Sequence, residues 1–274
     1  MKNLPWTSLF IIITMLFMAV FAPVISPHSP IDQTLADKLI PPVWEEGGNA
    51  KYLLGTDVFG RDVLSRLFYG ARVSMIVSAL ALLVGGGVGL VIGIVSGYVG
   101  GRLDNLLMRI VDAALAFPAI LFALLLAVTM GQGLRTIVIA ISLLLWARFA
   151  RVVRGEVLAV KQRDFVSLAR VHGCSPVRIM VTHILPNVMN TFMVLLTLYV
   201  GVVIVAEASL SFLGAGIPPP TPSWGLMVAE GRGKVASAWW ISLIPGVAIT
   251  LVVLAFNLFG DWLRDRLDPK LRQL

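Results

Sequence analysis

Hydrophobic positions along the chain gather in six long stretches separated by polar segments. The stretches run over Leu9–Ile25, Val73–Val99, Ile110–Met130, Thr136–Val153, Val188–Leu213 and Ile241–Phe259. A helix of about 20 apolar residues spans the core of a bilayer, and these stretches come close to or exceed that length. The fourth contains Arg148 and Arg151, where we expect it to leave the membrane. The pattern predicts an all-α membrane protein with six transmembrane helices.

The first stretch could instead be a cleavable signal sequence. Lys2 precedes it, as in a signal peptide, but no A-x-A cleavage site follows it. We therefore predict that it is retained as a transmembrane helix.

The distribution of positive charge predicts the orientation. If the N-terminus lies inside, most of the 22 lysine and arginine residues fall in inner segments. The positive-inside rule then predicts a multi-pass membrane protein with both termini in the cytoplasm. It also predicts a cytoplasmic position for the polar segment between the fourth and fifth stretches, Asp164–Pro186.

The first half of this 164–186 segment has helical periodicity. Phe165, Leu168, Ala169 and His172 follow i, i+3, i+4, i+7 spacing, which predicts a short helix with one narrow apolar face.

The second half of the segment carries signals for a turn and a second helix. Gly173 is expected to end the first helix, and Ser175 with Pro176 forms an N-cap and first-turn pair. Pro186 disfavours helical geometry at Leu185, so the second helix should stop there. Helices this short are unstable alone in water. The segment is therefore either a docking element or an amphipathic helix on the lipid surface, with flanking basic residues Lys161, Arg163, Arg170 and Arg178.

Two loops on the predicted outer side are long. The first ends in Leu54–Arg72, predicted to be a turn and an amphipathic helix with Arg61, Asp62 and Arg66 on its polar face. It is either an interfacial helix leading into the second span or a surface for an external partner. The second, Gly214–Trp240, contains prolines and a tryptophan that suit either anchoring at the membrane interface or ligand contact.

Small residues repeat along one face of the second stretch. Gly89, Gly93 and Gly97 are spaced four residues apart, which permits close helix packing. The partner is either another helix of the same chain or a second subunit.

Glu207 lies in the outer half of the fifth stretch. An ionisable residue at such depth is a candidate for a pathway or gating role. The alternative is a structural hydrogen bond to a neighbouring helix.

Composition excludes several classes of function. Of 274 residues 58% are hydrophobic and 14% charged, there is one cysteine, and the three histidines share no metal-ligand spacing. No glycine-rich stretch is followed by the Lys-Ser/Thr of a phosphate loop. We expect no catalytic, metal or cofactor site and no nucleic-acid partner.

Four stretches together resemble the permease subunits of binding-protein-dependent ABC importers. They span residues 54–72, 164–186, 207–225 and 256–270. The resemblance is to the dipeptide/oligopeptide/nickel family, in its C-type permease, and the sequence PPVWEEGGNAKYLLGTD is most like the dipeptide subgroup.

The family's cytoplasmic signature is Glu-Ala-Ala, three residues, Gly, nine residues, then Ile-x-Leu-Pro. Here those positions read Ser167-Leu168-Ala169, Gly173 and His183-Ile184-Leu185-Pro186. The second alanine, the glycine, the leucine and the proline match, so the helix–glycine–helix arrangement is kept. A role for the signature glutamate does not carry over to Ser167.

The resemblance implies a type I ABC importer permease fold in the bacterial inner membrane. Residues 1–72 would form an N-terminal helix and outer loop, residues 73–263 the core and residues 264–274 a cytoplasmic tail. The 164–186 segment would be the coupling element that contacts an ATPase subunit. Its candidate residues are Asp164, Phe165, Leu168, Ala169, Arg170, His172, Gly173, Ser175, Pro176 and Pro186.

The implied function is ATP-driven import of di- or oligopeptides. The implied partners are a second homologous permease subunit in a heterodimer, two subunits that bind ATP and Mg, an extracytoplasmic substrate-binding protein and membrane lipid. The alternatives are a nickel or glutathione ABC importer and, in a different class, a secondary transporter driven by an ion gradient. The last would require charged residues near several span centres, where only Glu207 comes close.

Overall fold

The structure, a computed structural model, describes residues 4–267 and is almost entirely helical over that range. Lys2 and residues 268–274 of the predicted tail lie outside it. The helices are α1 (Trp6–Ile25), α2 (Val63–Val99), α3 (Gly101–Ala116), α4 (Ala119–Met130), α5 (Leu134–Lys161), α6 (Asp164–Val171), α7 (Pro176–Arg178), a π-helical turn (Ile179–Ile184), α8 (Leu185–Phe212), α9 (Trp224–Gly231) and α10 (Trp240–Leu267).

The third predicted span, Ile110–Met130, is wrong as a continuous helix. Within residues 4–267, five helical segments are long and apolar enough to cross a membrane, and α3 with α4 makes a sixth only as a pair bent by 84°. The bend falls at Phe117, whose backbone is extended (φ −73°, ψ 134°). Pro118 follows it, and a proline ring disfavours helical geometry in the preceding residue.

The second span is longer than predicted. Helix α2 begins at Val63, ten residues before the predicted start at Val73, and runs for 37 residues, about 55 Å. The Asp62 carboxylate is its N-cap and accepts hydrogen bonds from the Leu64 and Ser65 amides. The predicted interfacial helix is therefore the first part of α2.

A glycine seam joins α2 to α5. Gly85, Gly89, Gly93 and Gly97 all face α5; a Cβ atom built on Gly89 would lie 2.5 Å from the Cβ of Phe149. The Ser142 hydroxyl donates to the Ala81 carbonyl across the same contact, at 3.3 Å. The glycine repeat therefore packs within the chain, as the first of the two sequence alternatives predicted.

Ion pairs fix α3 against α5. The Arg154 guanidinium donates to both carboxylate oxygens of Asp104 at 2.6 Å, and Ser96 on α2 donates to the same carboxylate. Arg151 pairs with Asp112. Bidentate hydrogen bonds between charged groups, as between Arg154 and Asp104, are the stronger class. They hold α3 against α5 beside the 84° bend that leads into α4.

We predict that Gly89→Ala lowers the free energy of unfolding by about 1–3 kcal/mol, because overpacking a close helix contact forces backbone shifts. Gly87→Ala is the matched control, since a Cβ there meets nothing within 4 Å on the same helix. Thermal unfolding of the purified protein in detergent measures both. Equal melting temperatures for the two variants would contradict the seam.

Candidate functional site

The 164–186 segment begins with α6, which turns one side toward the bundle. Val166 and Ala169 are buried, whereas Leu168 is 57% exposed and Val171 is 83% exposed. The predicted apolar face is therefore wrong in part, because Leu168 points away from the chain and Val166 takes its place inside. His172 ends the helix, with its Nδ1 2.8 Å from the Leu168 carbonyl oxygen.

Gly173 makes the turn between the two halves of the segment. Its φ of +74° lies in the left-handed region, which glycine adopts without a steric penalty. Its N–H donates to the Arg170 carbonyl, as expected at a helix C-terminus. The Ser175 hydroxyl then accepts from the Arg178 amide at 3.4 Å, and Pro176 occupies the first helical turn. The predicted turn and N-cap are both present.

The predicted helix end at Pro186 is wrong. Leu185 is helical (φ −50°, ψ −49°), and the chain runs as one helical segment over Pro176–Phe212. A π-helical turn directly before the proline accounts for this, since the Leu185 N–H reaches back to the carbonyl of Met180, five residues earlier. The widened turn accommodates the ring. The Asn187 side-chain amide donates to the His183 carbonyl in the same turn, at 2.7 Å.

The segment presents two different surfaces. Its inner surface, Val166, Ala169, Ile179 and Ile184, belongs to the main hydrophobic core. Its outer surface exposes Leu168, Val171, Val177 and Val181 beside Arg163, Arg170 and Arg178. The inner surface is fixed by its packing on the core, and the outer surface exposes apolar and basic groups. Such an exposed surface is suited to contact with another macromolecule.

At the other end of α2 lies a buried ion cluster, which we define as Asp57, Arg61, Arg66 and Glu230. Asp57 Oδ2 accepts from Arg61 Nε at 2.6 Å and from Arg66 Nη1 at 2.5 Å. Glu230 Oε2 accepts from Nη2 of each arginine at 2.8 Å. Two cations and two anions cancel, which permits burial of both arginines.

The predicted polar face of Arg61, Asp62 and Arg66 is therefore wrong, because all three side chains are buried. Glu230, the partner of Arg61 and Arg66, lies 164 or more residues away along the chain and was not a sequence candidate. An i,i+4 acid–base pair, Asp57 with Arg61, was the only local signal.

Trp224, in the second of the two predicted outer loops, is buried within the protein and is not an anchor exposed at a membrane interface. Its indole N–H donates to the Leu67 carbonyl on α2 at 2.9 Å. Gly70 makes room for the ring, since a Cβ there would lie 2.5 Å from Trp224 Cδ1. Helix α9 is thereby fixed against the start of α2.

Glu207 is fully buried between α2 and α8. Its carboxylate accepts from Ser211 at 2.7 Å and from Ser74 on α2 at 3.2 Å. These contacts favour the structural alternative, an interhelical hydrogen bond. The pathway or gating role stays a prediction.

The comparisons with known proteins define the class to which this architecture belongs. Residues 89–273 match the family of binding-protein-dependent transport system inner membrane components, and residues 2–42 match the N-terminal transmembrane domain of oligopeptide transport permease C. The chain belongs to the first of these families. It is therefore a multi-pass membrane component of an ABC transport system, as its resemblance to the permeases indicated.

The relatives are similar over nearly the whole chain. The dipeptide transport system permease protein DppC of Bacillus subtilis (strain 168) is 42% identical over 99% of this chain and 83% of its own length. The DppC protein of Escherichia coli (strain K12) is 43% identical over 96% and 87%. The di/tripeptide transport system permease protein DppC of Pseudomonas aeruginosa (strain UCBPP-PA14) is 41% identical over 96% and 87%.

A solved structure shares the fold. A chain of the inward-facing MetNI methionine ABC transporter superposes with a TM-score of 0.59 and 15% sequence identity, covering 75% of this chain and 96% of that one. The predicted type I importer permease fold is thereby confirmed.

We predict that Glu230→Ala lowers the free energy of unfolding by about 3 kcal/mol, because two buried guanidinium groups would share one remaining carboxylate. Glu46→Ala, at an exposed site in the loop between α1 and α2, should have no effect. Denaturant or thermal unfolding in detergent measures both variants. A stability unchanged by Glu230→Ala would show that the cluster has no net stabilising effect.

For Glu207 we expect the Glu207→Gln variant to keep wild-type transport, because an amide can still bond the two serines. Glu207→Leu should lower the melting temperature, since it leaves those hydroxyls without their partner. The measurements are uptake by the assembled importer and thermal unfolding. Loss of uptake in Glu207→Gln at normal abundance would instead support the pathway role.

Proposed function

We propose that this chain is the permease subunit of an ATP-driven importer of di- or oligopeptides, forming half of its translocation pathway. The observation that carries the proposal is similarity of 41–43% identity to dipeptide and di/tripeptide permeases over at least 96% of the chain. Similarity over that length includes the loops as well as the spans.

The importer requires other subunits. We propose a second homologous permease in a heterodimer, two ATPase subunits that hold ATP and Mg, and an extracytoplasmic binding protein that delivers the peptide. Since this sequence carries no phosphate-loop motif, the energy must be supplied by the ATPase subunits. This chain would hold no cofactor and perform alternating access, a ligand-biased shift between two states.

The 164–186 segment is proposed as the contact with the ATPase. Its exposed residues Leu168, Val171 and Arg170 would enter a groove of that subunit, with both termini on the same, cytoplasmic side. The burial of Val166 and Ala169 supports this role, because a force applied to the exposed surface passes into the core. The remaining proposed contact or shaping residues are Asp164, Phe165, His172, Gly173, Ser175, Pro176 and Pro186.

Uptake by the complete importer in proteoliposomes tests the function. With ATP on the ATPase side and binding protein on the other, a radiolabelled dipeptide should accumulate, and a non-hydrolysable ATP analogue should abolish accumulation. Ionophores that collapse ion gradients should have no effect. Uptake that persists without ATP and is lost with ionophores would support a secondary transporter instead.

The Gly173→Pro variant should uncouple ATP hydrolysis from uptake, because proline fixes φ near −65° and cannot adopt the +74° of this turn. Gly173→Asn is the control, since asparagine tolerates left-handed geometry and a Cβ here meets nothing within 4 Å. Peptide uptake per ATP hydrolysed should fall in the first variant and persist in the second. Normal uptake by Gly173→Pro at normal abundance would count against the coupling role.

A further inference from the structure

The ring of Tyr98, at the C-terminal end of α2, lies close to two cations. Arg170 Cζ is 5.6 Å and Lys161 Nζ 5.7 Å from the ring centroid. Both distances are within the range of about 6 Å at which a cation is attracted to an aromatic face. Lys161 is the last residue of α5, and Arg170 lies on α6. The Tyr98 ring therefore links the ends of α2 and α5 to the 164–186 segment.

The backbone is held at the same place. The Lys161 ammonium donates to the carbonyls of Tyr98 and Gly97, the latter at 3.4 Å. These carbonyls lie in the last turn of α2, where a cation is favoured by the helix dipole. Tyr98 also packs on the core that contains Val166 and Ala169 of α6. The end of α2 is therefore fixed both by its side chain and by its main chain.

Besides its short chain connection to α5, the 164–186 segment is joined to the membrane-spanning helices by two routes. The direct one, through α7 into α8, passes the π-helical turn Ile179–Ile184, which interrupts the regular α-helical hydrogen bonding; such turns are frequent at functional sites. The other leads through Tyr98 into α2, a helix of 37 residues without a break. The glycine seam holds α2 to α5, and its far end carries Arg66 of the buried ion cluster. The second route is mechanically continuous from one end of the bundle to the other.

We propose that Tyr98 is a positioning residue for transport, through which a displacement of the 164–186 segment is transmitted to α2. The contact between its ring and the Arg170 guanidinium makes the two elements move together. This inference rests on the coupling role proposed above for the segment.

The test is peptide uptake per ATP hydrolysed by the complete importer in proteoliposomes. Tyr98→Leu should lower this ratio about fivefold, within the range by which residues along a coupling network act. Tyr98→Phe keeps the ring and should keep the ratio. In the Tyr98→Leu background, Arg170→Gln should lower the ratio by less than it does in the wild type, because the part of its effect that passes through the ring is already lost. A loss that comes from contact of Arg170 with the ATPase is the same in both backgrounds. A purely structural role would change the amount of assembled protein and not this ratio.

Three results would overturn the inference: a wild-type ratio in Tyr98→Leu, an equal loss in Tyr98→Phe, or additive losses in the double variant. If Tyr98→Leu does not assemble, Tyr98→Met replaces it, since methionine also removes the ring but adapts to irregular space; a wild-type ratio in that variant would overturn the inference. Absence of ATP-dependent dipeptide uptake by the wild-type complex would overturn the proposed function as well, whereas the other results leave that function intact.

Discussion

Close contact between α2 and α5 is the constraint on which the rest of the structure depends. The helices touch along the face marked by Gly85, Gly89, Gly93 and Gly97, where a Cβ would reach the atoms of α5 at 2.5–2.8 Å. Without water in a bilayer core, helix association relies on such close packing and on interhelical hydrogen bonds. The seam fixes the long axis of α2, and α2 then determines where its two ends lie.

Each end of α2 is fixed by residues from distant parts of the sequence. Arg66 and Leu67 at its start bind Glu230 and Trp224 around α9, and Tyr98 at its end meets Lys161 and Arg170. The stretches 54–72 and 207–225, which carried the family resemblance separately, are thus partners in one contact. In that contact the large Trp224 ring packs directly against Gly70, where a side chain would collide with it.

Local pattern predicted the features whose causes are local. Most of the spans, the turn at Gly173, the N-cap at Ser175 and the spacing of the glycine repeat depend on neighbours within a few residues. A residue before proline is expected to leave the helix. Phe117 does so, although the sequence analysis did not apply the rule there. Leu185, to which the rule was applied, stays helical. The difference lies in the π-helical turn, whose backbone register is not evident from hydrophobic spacing.

Features that depend on distant partners could not be predicted. Arg61 and Arg66 had the spacing of an exposed polar face. Glu230, on a helix near the other end of the chain, supplies the second carboxylate that balances their charge on burial. The burial of Val166 where Leu168 was predicted has a similar cause. The position of α6 on the core determines which apolar residue turns inward.

The buried ion cluster and the exposed arginines of the 164–186 segment respond differently to their surroundings. Dissolved salt screens charges in water over about 8 Å at physiological ionic strength but reaches buried pairs poorly. Arg61 and Arg66 are 1–2% exposed in their side chains, so the loop that they hold is insulated from changes in the medium. Arg163, Arg170 and Arg178 are exposed, so any contact they make with an acidic partner weakens as salt rises. The end of the molecule with the buried ion cluster therefore keeps its structure as ionic strength changes. At the end with the 164–186 segment, the affinity for an acidic partner would depend on ionic strength.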